Sequence, residues 1–502
     1  MSENNNTLYK LTIYSNLIKT VVVAVVGVIS VPLTLKYFGT EKYGVWNVIN
    51  SFIVFLNMTN LGLNAAASIL INKNSNFLSK IEILKKSLNL ICVLLPLILI
   101  ILLVGNYFFP EWIEFINAPS TLENEAKLSS IIMIVFCVVM LPFSLVTSAL
   151  NGFQKNYIEN FFGIISSVFS LLSILLIIYL RKDLIWLAFA VSLSSLALNV
   201  VKTLYFKFFI LRKLDIESYT SESNNRDTSY KIIFDTGISC MFGAIASMVV
   251  LNTDNIVIAK FMGIEYVAPF SVTYRLYTII FSLIYIFNSS IVPLIGRNIN
   301  NKEYIKKIYD KTFFAVTILG GLFWIGTLAF GKTLIYLWVG KEGYAGMGVL
   351  LFLGAYSYVF SIVNLNYIMI NTFNHLKGVV FVTWLEGGLN LVLSAFLCKY
   401  HGLAGIALGT FLGTLISPFF LFPLVLKKRT KNLVVQNNIF LLKHFVISMI
   451  PTIIGAYFIN KIEGNILYVI LLTTLLCILY LLLSNLCLSK ENKQIKSLFS
   501  RE

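Results

Sequence analysis

The stretch NTDNIVIAKFMGIEYVAPFSVTYR (Asn252–Arg275) closes one long apolar segment, turns briefly and opens another. Each of the two apolar segments carries one charge, Asp254 before the turn and Arg275 after it. A charge on a membrane span costs about 2.5–3.5 kcal/mol on insertion scales, so it usually faces a bundle interior or a watery cavity. The stretch therefore predicts two consecutive membrane helices whose charges point into the protein.

The same turn occurs earlier in the chain. LKYFGTEKYGVWNV (Leu35–Val48) matches AKFMGIEYVAPFSV (Ala259–Val272) at an offset of 224 residues, and ALNGFQ (Ala149–Gln154) resembles MINTFN (Met369–Asn374). A repeat at half-chain spacing predicts two homologous lobes with a site between them, related by an axis along the membrane normal. The matched residues are Lys36/Lys260, Gly39/Gly263, Glu41/Glu265, Val48/Val272, Asn151/Asn371 and Phe153/Phe373.

The composition places this 502-residue chain in a membrane. Hydrophobic residues make up 58% of it and charged residues only 12%, whereas a soluble domain carries about 25% charged residues. The mean hydropathy of +0.83 is too high for one globular core to bury. The apolar runs are continuous rather than alternating, which favours helices over a membrane β-barrel. We predict an all-α polytopic membrane protein.

About fourteen membrane spans are predicted, in two repeated six-helix lobes followed by two C-terminal helices. The predicted domains are an N-lobe with spans 1–6 (1–210), a cytoplasmic linker (211–232), a C-lobe with spans 7–12 (233–430), and spans 13–14 with a cytoplasmic tail (431–502). The span limits are 14–36, 45–72, 88–109, 128–151, 159–180, 184–206, 233–259, 266–292, 312–331, 346–372, 379–398, 403–426, 444–460 and 465–487.

The basic residues predict the orientation of these spans. If the N-terminus is cytoplasmic, the inside segments hold 27 of the 39 Lys and Arg residues and the outside segments hold 10. Cytoplasmic loops carry the excess of basic residues, so both termini are expected in the cytoplasm of a bacterial inner membrane protein. The net charge of +16 follows from this bias and from anionic lipid, and no nucleic-acid partner is expected.

Polar residues recur at helical spacing along five of the predicted spans. Interhelical bonds between such residues average about 0.6 kcal/mol and could explain any single stripe. Five stripes on repeat-related spans favour a shared polar cavity instead. The candidate substrate-binding residues in this cavity are Arg275, Lys19, Asn16, Asn57, Asn60, Asn64, Ser282, Tyr285 and Asn390.

The charged residues within spans leave two interpretations open. Asp254 and Arg275 could form a structural ion pair, or Arg275 could contact an anion while Asp254 balances its charge. Glu386, about seven residues from the cytoplasmic end of span 11, could bind H⁺ or Na⁺ or pair with Lys19 on span 1. We therefore treat Asp254 and Glu386 as ion-coupling or charge-balancing candidates, and no metal site or other cofactor is expected.

Enzyme motifs are missing from the sequence. It contains no DxD, HExxH or GxSxG motif and no P-loop. Membrane glycosyltransferases, polymerases and ligases usually need a sizeable outer domain, and the largest predicted outer loop here is only about 110–127. The chain is therefore not expected to be an enzyme.

Two neighbouring stretches carry a family resemblance. PLTLKYFGTEKYGVWNV (Pro32–Val48) and FLNMTNLGLNAAASILI (Phe55–Ile71) resemble the polysaccharide transport family, the Wzx-type flippases of O-antigen and lipid-linked oligosaccharides. That family belongs to the multidrug/oligosaccharidyl-lipid/polysaccharide exporter superfamily. The likeness covers spans 1–12 and the count of fourteen spans. Asn60 stands where many relatives carry Asp, which argues against an acidic group on span 2.

The resemblance implies a flippase that moves an undecaprenyl-diphosphate-linked oligosaccharide from the cytoplasmic to the outer leaflet, by alternating access, for O-antigen or capsule-type polysaccharide. Its expected partners are that lipid-linked substrate, membrane lipid, and polymerase and chain-length proteins of the same pathway. The side chains of Arg275, Lys19 or Arg297 would meet the diphosphate, and neutral amides and hydroxyls would meet the sugars. The alternatives are a cation-coupled multidrug antiporter of the same superfamily and a membrane glycan polymerase or ligase.

Overall fold

The computed structural model describes residues 2–74, 76–108, 116–181, 183–211, 229–298, 301–373, 376–430, 436, 438–459 and 466–491. Within these ranges the regular structure is helical and contains no strand, which confirms the predicted all-α class. The α-helices are α1 Ser2–Leu56, α2 Leu63–Lys73, α3 Phe77–Phe108, α4 Glu123–Gly152, α5 Asn156–Tyr179, α6 Leu184–Tyr205, α7 Tyr230–Phe261, α8 Val267–Ser289, α9 Val292–Arg297, α10 Lys302–Trp338, α11 Met347–Thr372, α12 Leu376–Ile416, α13 Pro418–Arg429, α14 Asn438–Ile459 and α15 Ile466–Glu491.

Two glycine kinks divide the longest helices into pairs of membrane spans. Gly39 interrupts α1 with φ 80° and ψ 174°, and Gly402 interrupts α12 with φ 57° and ψ −138°. Positive φ values are readily adopted only by glycine, because it lacks a Cβ. Both kinks lie where the sequence predicts a turn between consecutive spans. Each of these helices therefore supplies two spans.

The number of spans agrees with the prediction. Ten helices among the described residues are long and apolar enough to cross a membrane, and two of them contain the kinks at Gly39 and Gly402. They therefore provide twelve apolar stretches, and together with the two shorter apolar helices, Phe440–Gly455 and Ile470–Ser484, the count is approximately consistent with fourteen spans.

The internal repeat is visible in the local geometry of its matched turns. Gly39 and Gly263 both have positive φ, 80° and 119°. Phe153 and Phe373 cap the ends of α4 and α11 with nearly the same backbone angles, φ −83° and ψ 6° against φ −87° and ψ 12°. Their amide groups donate to Ala149 O and Met369 O, each four residues earlier. The aligned residues therefore have the same backbone geometry and hydrogen bonds in each half of the chain.

A further pair of matched contacts connects neighbouring helices within each half. The Asn64 side chain donates to Ser144 Oγ at 2.7 Å, and the Asn288 side chain donates to Asn364 Oδ1 at 3.0 Å. Asn288 lies 224 residues after Asn64, and Asn364 lies 220 residues after Ser144, the same spacing as between Phe153 and Phe373. The repeat therefore extends into the interior of the spans.

The chain forms two compact units. One contains Met1–Met248 with Gly263–Glu265, and the other contains Val249–Met262 with Tyr266–Glu502. Helix α7 contributes its first part to unit 1 and its last part to unit 2. Most of the predicted linker (211–232) and the end of the predicted tail lie outside the described residues. The predicted domain limits stay a prediction.

The second half of α12 packs very closely on the first half. Its glycines Gly405, Gly409 and Gly413 face the backbone of Leu397, Ser394 and Asn390. A Cβ at Gly409 would lie 2.5 Å from Ser394 N, which is closer than real contacts allow. The Gly-x-x-x-Gly spacing thus brings two helices together, as small residues commonly do in membranes. This contact between the two halves of α12 sets the positions of the polar side chains of the candidate site.

We expect Gly409→Ala to destabilise the protein, because its new methyl group would collide with backbone. Overpacking of this kind typically costs about 1–3 kcal/mol. Gly388→Ala is the matched control, since Gly388 lies on the same helix and a Cβ there would have no atom within 4 Å. Thermal unfolding of the purified variants in detergent should show a lower midpoint for Gly409→Ala only. Equal midpoints would contradict the packing described here.

Candidate functional site

An acidic cluster lies within unit 2, between α7 and the two halves of α12. Thr410 Oγ1 donates to Asp254 Oδ2 at 3.1 Å, and the Asn390 side-chain amide donates to Thr410 Oγ1 at 3.0 Å. Asp254 is 6% exposed and Asn390 is fully buried. The glycine contact in α12 makes this network possible, because Thr410 directly follows Gly409 and Asn390 faces Gly413.

Glu386 is the second buried carboxylate of this cluster. It is 9% exposed, and its Oε1 accepts a hydrogen bond from Thr414 Oγ1 at 2.7 Å. Thr414 lies one helical turn after Thr410. Each of these two threonines therefore donates a hydrogen bond to one carboxylate. The cluster therefore contains two acids supported only by neutral donors among its described contacts.

Acceptor oxygens in the cluster remain available. Asp254 Oδ1 and Asn390 Oδ1 are both buried and have no hydrogen-bond partner among the described residues. Within the same part of the chain, neither Asp254 nor Glu386 has a Lys or Arg nitrogen within 4.0 Å. A buried carboxylate without a counterion is costly. Taking up a proton or a small cation would relieve that cost, so the arrangement suits H⁺ or Na⁺ binding.

The direct Asp254–Arg275 ion pair considered from the sequence is not formed in this structure. Asp254 is held by Thr410 instead, because the close α12 packing brings that hydroxyl to its carboxylate. Arg275 is half-buried on α8, and its backbone carbonyl accepts a bond from Thr278 at 2.7 Å. No carboxylate of the described residues lies within 4.0 Å of its guanidinium. Arg275 is thus a cation within an apolar helix that no acid among the described residues of its unit neutralises.

Lys19 is a comparable cation within unit 1. It is half-buried on α1 and lies across Gly163 of α5, where a Cβ would be 2.7 Å from Lys19 Cε and 3.1 Å from Nζ. One turn earlier, the Asn160 side chain donates to Ser15 Oγ at 3.0 Å and fixes the register of the two helices. Among the described residues, the Lys19 ammonium has no carboxylate within 4.0 Å.

The three predicted asparagines of span 2 lie together around one cavity of unit 1. The cavity has a volume of about 300 Å³ and is lined by residues of α2, α4 and α7 and of the turn between α1 and α2. Asn57 and Asn60 lie on that turn and Asn64 on the first turn of α2. Their grouping agrees with the polar stripe read from the sequence.

The remaining predicted residues are not gathered into either cluster. Asn16 is exposed on α1, and its carbonyl accepts from Thr20 at 2.8 Å. Ser282 donates to Thr278 O of its own helix at 2.8 Å, and Tyr285 is 48% exposed. The structure therefore gives these three residues no interhelical role among the described contacts of their units, and their place in a binding surface stays a prediction.

Several residues that shape the clusters were missed by sequence reasoning. Thr410 and Thr414 follow Gly409 and Gly413, so their spacing of four on the packed face of α12 was a usable signal. Gly163 gave no such signal in the sequence, because a single glycine in an apolar helix has no distinguishing pattern. Its importance depends on Lys19 being its neighbour in space.

Comparisons with known proteins agree with this membrane architecture. The sequence profile of the family described as "Polysaccharide biosynthesis protein" matches residues 11–299. A protein of Salmonella typhi named "Putative O-antigen transporter" is 20% identical over 436 residues, which cover 84% of this chain and 96% of that protein.

Solved structures with the same fold are transporters. The lipid II flippase MurJ in an inward closed conformation superposes with a TM-score of 0.70 at 16% identity, covering 94% of this chain and 98% of MurJ. An inward-facing MATE multidrug transporter of the MOP superfamily gives 0.66 at 14% identity, covering 82% and 94%. At such identities the likeness establishes the fold alone.

We expect Gly163→Val to displace the Lys19 ammonium from α5. The valine side chain would occupy the space of the Lys19 tip, and that flexible tip can move more easily than the backbone. Amine-reactive labelling of Lys19, followed by mass spectrometry of the purified protein, should therefore proceed faster in the variant. Gly326→Val is the control, because no atom lies within 4 Å of a Cβ there. Unchanged Lys19 reactivity in Gly163→Val would show that Gly163 does not seat this lysine.

Proposed function

The chain belongs to the family of polysaccharide biosynthesis proteins, and on that basis we propose that it is a flippase for an undecaprenyl-diphosphate-linked oligosaccharide. The substrate would cross from the cytoplasmic to the outer leaflet by alternating access, for O-antigen or capsule-type polysaccharide. The protein would lie in the bacterial inner membrane with both termini in the cytoplasm. Polymerase and chain-length proteins of the same pathway would be its partners.

The observation that carries this proposal is the pair of cations, Lys19 and Arg275, that have no acidic partner among the described residues. Each lies within an apolar helix, where an unpaired charge is expensive. A diphosphate would neutralise such charges, and the Arg guanidinium matches phosphate oxygens through two parallel hydrogen bonds. The family membership and the presence of a lipid flippase among the fold neighbours support the same substrate class.

The acidic cluster of unit 2 suits the coupling of transport to an ion. We propose that Asp254, with Asn390 and Thr410, binds H⁺ or Na⁺, and that Glu386 with Thr414 tunes the charge of this site. Two oxygens without a partner among the described residues, Asp254 Oδ1 and Asn390 Oδ1, support this assignment. Such a site would use the ion gradient to reset the transporter after the substrate has left.

A cation-coupled multidrug antiporter is the second candidate function. The buried acids Asp254 and Glu386 favour it, because a cationic drug needs a negative site, and MATE transporters share the fold. The unneutralised Lys19 and Arg275 oppose it, since they would repel a cationic drug. The two candidates differ in their genetic consequences.

Deletion of the gene in the source bacterium should stop surface-glycan assembly and leave the lipid-linked unit on the cytoplasmic leaflet. Complementation with Arg275→Ala should fail, because the diphosphate loses its cationic partner, while Arg275→Lys should restore partial export by charge alone. Lys399→Ala is the control, an exposed lysine of the same unit whose ammonium lies over Phe261. The measurement is the amount of surface glycan on immunoblots, normalised to the level of each variant in the membrane.

Two outcomes would contradict the flippase. Normal glycan in a well-expressed Arg275→Ala strain would remove the substrate-contact role of this residue. Unchanged glycan in the deletion strain, together with raised sensitivity to cationic dyes, would support the drug antiporter instead.

We expect Asp254→Asn to remove the response of the protein to the coupling ion. The wild-type protein in detergent should unfold at a higher temperature in Na⁺ than in choline at equal ionic strength if Na⁺ is the ion. If the ion is H⁺, lowering the pH should raise the midpoint instead, because protonation removes a buried charge. Asp254→Asn should lose either response, and the exposed control Glu303→Gln should keep it. Full retention by Asp254→Asn would exclude this residue from ion binding.

A further inference from the structure

The cavity of unit 1 lies beside a break in a membrane helix. Helix α1 ends at Leu56, a 3₁₀ turn spans Asn57–Asn60, and Leu61 and Gly62 adopt left-handed conformations with φ 51° and 69° before α2 begins. Non-helical backbone at membrane depth is tolerated only where protein buries it or a polar cavity receives it. The break therefore marks a place where the bundle interior is polar.

Among the described residues, the walls of this cavity contain no charged side chain. Asn57, Asn60, Asn64 and Ser144 provide its polar groups, and the rest of the lining is aliphatic, Gly, Met or Cys. The Asn64 side chain donates to Ser144 Oγ at 2.7 Å, which leaves Asn64 Oδ1 buried with no partner among the described residues. Asn288 Oδ1 of the other half is also buried without a partner among the described residues, so this oxygen is a feature of the fold and the cavity has to be judged by its other polar atoms.

The polar atoms of the break supply the complementary groups. Asn57 Oδ1 accepts from Cys137 Sγ at 3.6 Å, and Asn60 Oδ1 accepts from Gly62 N at 2.9 Å. The carboxamide oxygens are therefore engaged within the protein, while the two NH₂ groups make no hydrogen bond to a described residue. The cavity thus offers amide donors from Asn57 and Asn60, and Oδ1 of the exposed Asn57 keeps a second lone pair that can accept a hydrogen bond.

The opposite half of the repeat shows that the fold does not require this cavity. The offset of 224 places Phe281 at the position of Asn57 and Ile284 at the position of Asn60. Helix α8 runs through this region without a break, and the Phe281 ring packs against Phe360 with centroids 4.7 Å apart. Phe281 and Ile284 are 9% and 3% exposed. One lobe fills the site with apolar side chains, while the other keeps it open and lined with amides.

We propose that the cavity beside Asn57–Gly62 seats an uncharged sugar ring of the transported oligosaccharide and excludes anionic sugars. Sugar hydroxyls both donate and accept hydrogen bonds, which matches the amides of Asn57 and Asn60. The apolar faces of the ring match the Leu141 and Met140 walls. A carboxylate or phosphate would enter without a cation to replace its water, and a prenyl chain would leave the amide groups of Asn57 and Asn60 without acceptors.

The size of the cavity limits what it holds. Its volume of about 300 Å³ is at the lower end of the range for small-molecule sites. It therefore suits one or two rings rather than a whole repeat unit. This inference rests on the proposed flippase function for its place in the transport cycle, but ring binding can be measured without transport.

Cys240 of α7 lines the cavity and is partly accessible. Its rate of chemical labelling can therefore report whether the cavity is occupied. The test uses the full-length protein in nanodiscs with the other five cysteines replaced by Ser. N-ethylmaleimide labels Cys240 with or without methyl glucoside, methyl N-acetylglucosaminide or methyl glucuronide. A bound ring should slow labelling by 1 + [L]/Kd, about fourfold at three times Kd.

The neutral glycosides should protect Cys240, and the glucuronide should not protect it at the same concentrations. Asn57→Leu should abolish the protection, because it removes the amide that lines the cavity and keeps the volume. Asn199→Leu is the matched control, since Asn199 is a part-buried asparagine of unit 1 that donates to Ser195 O of its own helix. Labelling of the unfolded protein normalises each sample, and Asn60→Leu replaces Asn57→Leu if the latter fails to fold.

The outcomes separate this inference from the proposed function. Absence of protection by either neutral glycoside, or equal protection by the glucuronide, overturns the neutral-ring site while leaving the deletion and Arg275 results intact. Protection that Asn57→Leu retains overturns the role of the amides. Protection in a protein whose deletion leaves surface glycan unchanged would keep the sugar site and refute the flippase.

Discussion

The lipid bilayer offers no hydrogen-bond partner, so each polar group of a spanning helix needs one inside the protein. The structure meets this requirement through close helix contacts. Gly409 faces the backbone of Ser394, and that approach brings Thr410 between Asp254 and Asn390. A methyl group on Gly409 would separate the two halves of α12, so Asp254 would lose its donor and the Asn390 amide would lose its acceptor. The polar chemistry of unit 2 therefore depends on a packing contact between glycine and backbone.

Some charged side chains of the spanning helices do not meet this requirement. The acids Asp254 and Glu386 each receive a threonine hydroxyl, yet Lys19 and Arg275 receive no acid within their units among the described residues. A structural ion pair would have neutralised both signs at once. A charge without a counterion in a membrane span costs stability, and a ligand of opposite charge would recover that cost. The proposed substrate supplies an anion for the bases, and the coupling ion supplies a cation for the acids.

Much of the architecture could be predicted from the sequence. The apolar run lengths predicted fourteen spans, and Gly39, Gly263 and the capping phenylalanines occupy matched turns because the repeat preserved their backbone geometry. The site was harder to predict. Helical spacing grouped Asn57, Asn60 and Asn64, but it could not show the break at Leu61 and Gly62 that turns their stripe into a cavity wall. Spacing also could not show that Asp254 is bonded to Thr410, 156 residues away.

The two halves of the chain share one fold because they are repeats. The differences between them therefore indicate where the functional residues lie. Asn64 and Asn288 make equivalent interhelical bonds, and both keep a buried side-chain oxygen without a partner among the described residues. The surroundings differ, because Phe281 and Ile284 close the space on α8, where Asn57 and Asn60 leave it open beside α1. The charges differ as well, since the offset of 224 places Asp254 at Ser30 and Arg275 at Ser51. Features that both halves share serve the fold, and the features found in one half only, the neutral amide cavity of unit 1 and the buried acids of unit 2, are the candidates for function.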